Sequence, residues 1–598
     1  MWYGITIGQV RFEKAGGQLR KTDQKQGFVQ GAMILMIGTV TVKVVSMLFK
    51  IPISNMLGGT GYSYFTNAYE IFNLISTIAT AGFPVAISKL VSENSVLGRY
   101  RDSRKIFRIS RLFFLLTGFL CMVVMILGAG TFAAMIPNPG ARLSIIRLAP
   151  AVLTCCLMSA YRGYYQGMQN MYPTSISQII EAVTKMIFGL GLSGAVLYLT
   201  QREYETYGTV LGQSYAGQAQ AQAVIAQLAS GAAVLGVSLS TAAGLLYLMI
   251  RWRKKGDGVP DELVRQSPQP QRAGVLFKTI IVIAVPVCLG SLAVNFSGII
   301  DLMTVTGRLA EVMQTAPQAL LDCYGANIPE AEIINNSVHN YLYGAYSGKA
   351  VVIANLVPAL TAGLAVSALP VVAESFAQGN RLRTQRSVQM VLRITTIVCI
   401  PAGLGISALA QEVCELFFGY NSEVAIGAPL LQVLAIASIF IALTAAINSL
   451  LQAVGRVSLP VKLILIGSLV KLAMNYILVG IPQINIQAAP WSTLACYLLV
   501  TVLSLIALRQ SVGELGVVSV FVKPLLAGLL CAAFARLSQN LISTVIASRF
   551  AVLVSVAVGA LVYLIALFLL KAFKKEDIEM LPKGEKIAKT LEKYSLLG

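Results

Sequence analysis

Apolar residues run along this chain in long blocks separated by short polar stretches, from residue 28 almost to residue 570. A helix needs about 20 largely apolar residues to cross a bilayer, whereas a tilted barrel strand needs about 9–11. Lipid admits only these two forms, because every backbone donor and acceptor must be satisfied internally. The blocks are too long for strands, so they predict an all-α, polytopic membrane protein. They divide into fourteen spans, at 28–49, 64–88, 112–136, 143–165, 176–199, 221–250, 279–305, 340–370, 389–409, 425–452, 460–480, 488–508, 524–543 and 550–570.

Composition agrees: of 598 residues 56% are apolar and only 12% charged, against about 25% charged in soluble domains. The net charge of +20 raises the question of nucleic acid, but the basic residues do not form one stripe with interleaved aromatics. They sit in clusters between apolar blocks, so membrane lipids are the expected partners and nucleic acid is not. Lysine and arginine concentrate on the cytoplasmic side of a membrane. With the amino terminus inside, only Lys50, Arg142, Arg147, Arg202, Arg308 and Arg549 of the 46 fall at external ends, and Lys43, Arg162, Lys185, Lys349, Lys471 and Arg536 fall within spans. The expected setting is the bacterial cytoplasmic (inner) membrane, with both termini cytoplasmic. Residues 1–27 are polar, with no short apolar segment and cleavage site, so no removable signal peptide is expected.

The chain also echoes itself. One ungapped shift lays Thr80, Ala81, Gly82, Val85, Val91, Glu93 and Gly98 on Thr361, Ala362, Gly363, Val366, Val372, Glu374 and Gly379, each set followed by an arginine-rich loop. A weaker echo pairs Gln166 and Pro173 with Gln452 and Pro460. Both displace the pattern by six helices, an even number that preserves topology, so they predict parallel repeats with the substrate site between them near the midplane. The organisation is a cytoplasmic tail at 1–27, a first lobe at 28–250, a linker at 251–274, a second lobe at 275–508, two appended helices at 509–571 and a second tail at 572–598.

Ionisable groups inside spans cost about 2.5 kcal/mol or more at a helix centre, and usually face a wet cavity or a partner. Lys43 and Lys50, seven residues apart in the first span, offer two cations to a phosphate; Lys50 can equally snorkel outward. Lys349 lies too deep in the eighth span to snorkel, and Lys471 and Glu70 are deep enough to line a cavity. Arg162 stands near a helix end, where it either binds substrate or snorkels. Asp301 precedes Arg308 by two turns, so the two either brace each other or gate the external mouth. Glu181 and Lys185 have the order of a helical ion pair. Glu93 and Glu374 end equivalent helices, where they cap, bridge or gate. The buried cations outnumber the carboxylates, which suits an anionic headgroup better than a cation path.

Nothing in the chain resembles a soluble catalytic site, so it is not read as an enzyme. The single histidine, His339, has no cysteine or histidine cluster beside it, so no metal is expected. There is no GxxxxGK[ST] run to supply nucleotide-driven transport, and no cofactor is expected.

Several stretches resemble a known family. Lys50-Ile-Pro-Ile-Ser-Asn-Met-Leu-Gly58, Thr80-Ala-Gly-Phe-Pro-Val-Ala-Ile-Ser-Lys89 with Glu93, Tyr161-Arg-Gly-Tyr-Tyr-Gln-Gly167 with Pro173, the Asp301 to Arg308 segment, and Leu369-Pro370 with Glu374 carry the likeness. They resemble the polysaccharide-biosynthesis, stage V sporulation protein B-like flippases of the superfamily of multidrug, oligosaccharidyl-lipid and polysaccharide exporters, similar to the lipid II flippase. The resemblance implies a MATE-like, V-shaped bundle of two pseudo-symmetric six-helix lobes around a central cationic cavity. It further implies that Lys43 and Lys349 occupy regions where relatives bind the diphosphate of an isoprenoid-linked glycan. Two departures stand out: lysines take the place of the cavity arginines, and the external 306–339 segment is long and acidic. The expected function is translocation of an undecaprenyl-diphosphate-linked sugar to the outer leaflet, with the lipid-linked glycan as substrate. The alternatives are a cation-coupled multidrug exporter and a non-transporting scaffold for cell-wall synthesis enzymes.

Overall fold

The computed structural model describes residues 28–215, 217–544 and 548–572; the tails read from the sequence at 1–27 and 573–598 lie outside the described residues. The first half comprises α1 (Phe28–Thr80), α2 (Phe83–Val96), α3 (Tyr100–Leu127), α4 (Arg142–Gly167), α5 (Tyr172–Tyr207) and α6 (Gln218–Lys255). The second comprises α7 (Ala273–Ile300), α8 (Val338–Ala345), α9 (Leu356–Ala377), α10 (Arg381–Ala408), α11 (Ser422–Ala453), α12 (Leu459–Leu478) and α13 (Ala488–Val512). Two further helices, α14 (Lys523–Ile542) and α15 (Ser548–Leu569), pack as a pair against α10. Among the described residues, eleven helices are long and apolar enough to cross a membrane, which agrees with an all-α, polytopic fold.

Many of these helices outrun the apolar blocks, because an apolar block measures lipid thickness and a helix continues into water wherever its polar residues tolerate it. α3 begins at Tyr100, inside the arginine-rich loop, and ends at Leu127 rather than 136. The first two spans are joined directly: α1 is 53 residues long with Gly58 at φ 65 and ψ 178 inside it. Phe49 and Phe65 place their ring centroids 6.0 Å apart, whereas the intervening residues in a straight helix would separate them by about 24 Å. α1 is therefore a hairpin, folded at a residue in the left-handed region that favours glycine.

The repeat appears as a shared helix stop. Gly98 and Gly379 follow α2 and α9 at φ 68 and 69, their N–H groups donating back to Ser95 and Phe376 carbonyls at 3.3 and 3.0 Å. Gln169 and Gly455, at φ 58 and 84, likewise follow α4 and α11. Pro173 and Pro460 stand in the first turns of α5 and α12, where a missing N–H costs nothing. The match stops at Gly82, which at φ 80 divides α1 from α2, because its counterpart Gly363 lies within α9. The eighth span breaks elsewhere, through a π turn at Tyr346–Ala350 and a break before α9.

One large apolar core joins the halves, running at the Gly58 end from Phe49 and Tyr62 through Leu342 and Tyr346 to Leu431, and taking in Leu276, Ile280 and Ala284 of α7 beside Phe107 and Phe114 towards the other end. A separate core, including Val388, Ile447 and Leu508, belongs to the second half alone. The beginning of α7 crosses to the first half, with Phe277 5.4 Å from Phe113 between centroids. The linker does not hang free between halves. It is strapped to α3: Arg104 meets Asp257 at 2.6 Å and Asp261 at 3.2 Å, and Gln271 N–H donates to Asp102 at 2.8 Å. The 306–339 segment is equally built, with helices Thr306–Thr315, Pro317–Tyr324 and Glu330–Ile334. It reaches the first half where Asn335 donates to the Ala219 carbonyl at 2.8 Å.

Candidate functional site

A cavity of about 290 Å³ lies where the halves meet, lined by Glu70 of α1, Ser297 of α7, Asp301, Tyr346, Lys471 of α12 and Thr493 of α13 among others. Asp301 opens a π turn, Asp301–Val305. Its two carboxylate oxygens are both taken, one by Lys471 Nζ at 2.6 Å and the other by Asn475 Nδ2 at 2.9 Å. Lys471 also donates to Ser297 Oγ at 3.2 Å and is only 3% exposed. Asp301 and Arg308 therefore do not brace each other, because the extra residue of a π turn shifts everything after it round the helix. Arg308 instead pairs with Glu311 and lies over the Tyr476 ring, 4.6 Å from its centroid.

Lys349 falls in the second π turn and points away from this cavity. Its ammonium meets Glu423 at 3.0 Å, Asn55 Oδ1 at 3.0 Å and the Ser54 carbonyl at 3.3 Å, above the Phe418 ring at 4.6 Å. The expected free cavity cation is thus a buried, neutralised one, tying α8 to the α1 hairpin and to the first turn of α11. Glu423 also accepts from Gly59 N–H at 2.6 Å. Sequence reasoning missed Glu423, because a carboxylate in a first helical turn already has a use against the helix dipole. It missed Asn475 and Ser297 too, although a signal existed: each stands four residues from a buried charge on its own apolar helix.

Glu181 and Lys185 do not pair either. Glu181 takes Arg162 at 3.0 Å across from α4, since a guanidinium presents fixed donors to a carboxylate better than a flexible neighbour on the same helix does. Lys185 turns to Ser46 Oγ at 3.4 Å and to the Phe49 ring at 5.5 Å. Arg162, Glu181 and Lys185 share a hollow of about 210 Å³ with Thr39 and Gln178 inside the first half. Lys50 lies within electrostatic reach of Lys185 and Glu70. Lys43, Lys50 and Lys185 are half-buried and make no salt bridge among the described residues.

Glu93 and Glu374 stay at their helix ends. Glu93 meets Lys89 at 3.9 Å with both side chains more than half exposed, an arrangement worth little, and Glu374 accepts from Gln378 at 3.1 Å. Outside the spans, burial pushes the Glu332 carboxyl up from its ordinary value, against the opposing effect of the Ser337 hydroxyl that donates to it. His339 Nε2 lies 2.9 Å from the Pro137 carbonyl. Among the described residues no cluster of His, Cys, Asp and Glu is arranged to hold a metal.

The chemistry is therefore divided. The junction cavity is not cationic, holding two carboxylates, Glu70 and Asp301, against the one lysine Lys471, and the lysines that make no salt bridge among the described residues lie on the first half. Residues 28–316 match the family described as Polysaccharide biosynthesis protein, and residues 345–477 match MatE. The chain is 26% identical over 479 residues to the lipid II flippase MurJ of Bacillus subtilis (strain 168), covering 78% of this chain and 79% of that one. It is 21% identical to the stage V sporulation protein B of the same organism over 93% of this chain and 98% of that one. A solved lipid II flippase in an inward closed conformation superposes with a TM-score of 0.60 at 14% identity, over 90% of this chain and 98% of that one. The chain is a multi-pass, all-α membrane protein that matches the Polysaccharide biosynthesis protein family over most of its first half and MatE within its second, is similar to the lipid II flippase and to the stage V sporulation protein B, and shares the fold of the solved lipid II flippase.

Proposed function

We propose that the protein moves an isoprenoid-diphosphate-linked sugar, such as an undecaprenyl-linked cell-wall or surface-polysaccharide unit, across the cytoplasmic membrane by alternating access. In this reading the chain crosses fourteen times with both tails cytoplasmic, the α1 hairpin supplying two crossings and the broken α8–α9 rod one. The observation that carries it is the file of lysines on the first half. Lys43 and Lys50 share a face of α1 two turns apart, Lys185 joins them from α5, and none makes a salt bridge among the described residues, although Glu70 stands within electrostatic reach of Lys50 and Glu181 within that of Lys185. Compact ammonium groups suit a diphosphate as point charges. The similarity to a lipid II flippase supports the same cargo class. Lys349 and Lys471 are left out of the headgroup site, since each is already committed to a carboxylate.

The test is inversion of a lipid-linked sugar in proteoliposomes by Lys43→Ala and Lys50→Ala. Transport is expected to fall to background with normal expression and folding. Unchanged inversion by both variants would remove this file from the mechanism. Glu70 and Asp301 in the junction cavity favour a second reading, a cation-driven drug exporter; efflux that follows a sodium or proton gradient, without lipid inversion, would select it.

A further inference from the structure

One carboxylate is placed to neutralise the lysine file. Lys185 lies at the middle of that file: its ammonium is 3.4 Å from Ser46 Oγ, and Ser46 is three residues from Lys43 and four from Lys50, on the face of α1 that the two share. Glu181 stands four residues before Lys185 on α5, the spacing and order at which a carboxylate and an ammonium pair by default. A contact there would cancel the attraction of Lys185 for an incoming phosphate.

That contact is not made. Arg162 reaches across from α4 and holds Glu181 Oε2 at 3.0 Å. Its Nε donates to Ser177 Oγ at 3.0 Å, and that hydroxyl donates on to the Thr174 carbonyl at 2.7 Å. Ser177 is fully buried, so the guanidinium is fixed from two sides and offers the carboxylate a planar array of donors that an ammonium lacks. Arg162, Glu181 and Lys185 all border the same hollow of about 210 Å³, and Glu181 needs no helix movement to reach Lys185 once Arg162 lets go. We propose that Arg162 is a positioning residue for cargo binding: by keeping Glu181 to itself, it leaves Lys185 open to the phosphate that Lys43 and Lys50 flank. The proposal rests on the diphosphate reading of the file, but it assigns a role to a pair outside that file. Arg162 touches no cargo in this scheme and acts through Glu181.

The experiment reads binding of inorganic diphosphate to the full chain in lipid nanodiscs by phosphorus NMR line broadening, and inversion of a lipid-linked sugar by the same variants in proteoliposomes. Arg162→Gln is expected to weaken diphosphate binding about tenfold. Glu181→Gln should bind as tightly as the unaltered protein or more tightly, and the double variant should recover what Arg162→Gln loses. A loss in Glu181→Gln would mean that the pair only braces α4 against α5, and a loss in the double variant would mean that Arg162 itself meets the phosphate. Either result overturns the proposal, as does undiminished binding by Arg162→Gln. Glu181→Gln keeps an oxygen for Arg162 to donate to, and the double variant strands no charge, so these two decide the question even where Arg162→Gln fails to fold. The expected binding pattern in a protein that inverts no lipid-linked sugar sinks the transport reading and leaves the role of Arg162 standing. Normal inversion by a folded Arg162→Gln variant sinks that role alone.

Discussion

An ammonium group buried as deeply as that of Lys349, which is 1% exposed, persists only when a carboxylate and further acceptors replace its water. Glu423, Asn55 and the Ser54 carbonyl do so. Removing one member of such a pair strands the other, at about 3–5 kcal/mol, whereas replacing both by apolar groups of similar size is close to neutral. Lys349→Met and Glu423→Leu should each lower the thermal midpoint of the detergent-solubilised protein, and the double variant should recover much of the loss. Additive losses would mean that the pair is not coupled. The chain's own residues announced that Lys349 was buried and needed a partner, since it is a lone charge deep in an apolar run. They did not announce which partner, because the choice is made by three elements meeting from residues near 54, 349 and 423. The same limit explains Asp301, whose partner arrives from α12 and whose apparent partner is displaced by a turn type that composition does not encode.

At the scale of elements, hydrophobic blocks located the helices well: 425–452 became Ser422–Ala453 and 488–508 became Ala488–Val512. The blocks separated the two arms of the α1 hairpin, at 28–49 and 64–88, but could not reveal the π turn ahead of α9, since it preserves hydrophobicity while changing direction. One close approach between halves depends on such a place. A Cβ on Gly344 of α8 would stand 1.7 Å from the Gly59 carbonyl oxygen, so no side chain fits without parting α8 from the hairpin tip. Gly344→Ala should therefore loosen this end, seen as faster labelling of a cysteine placed at the buried Ser54 by a membrane-impermeant maleimide. Gly130→Ala, where an added Cβ meets nothing within 4 Å, serves as the control. Equal labelling in both backgrounds would show that the contact does not seal the end.

For the whole molecule, the two cores define what has to move. The shared core holds the halves together at the Gly58 end, while the second half keeps its own core elsewhere, so release of cargo at the Gly58 end requires contacts of the shared core to part. The matched residues predict parallel repeats, but not which end is sealed, because that depends on contacts between residues hundreds of positions apart. The 306–339 segment crosses the seal, its Asn335 bonded to the Ala219 carbonyl at 2.8 Å. Cysteines at Ala219 and Asn335, joined by a short thiol cross-linker, should hold the halves shut at this end. The experiment needs a Cys323→Ser background, since Cys323 is the exposed cysteine among the free ones described. Cross-linking should bring lipid-linked sugar inversion down to background, and a reducible linker should allow reductant to restore it. Full cross-linking with undiminished inversion would mean that cargo leaves without this end opening, and alternating access between these halves would have to be abandoned.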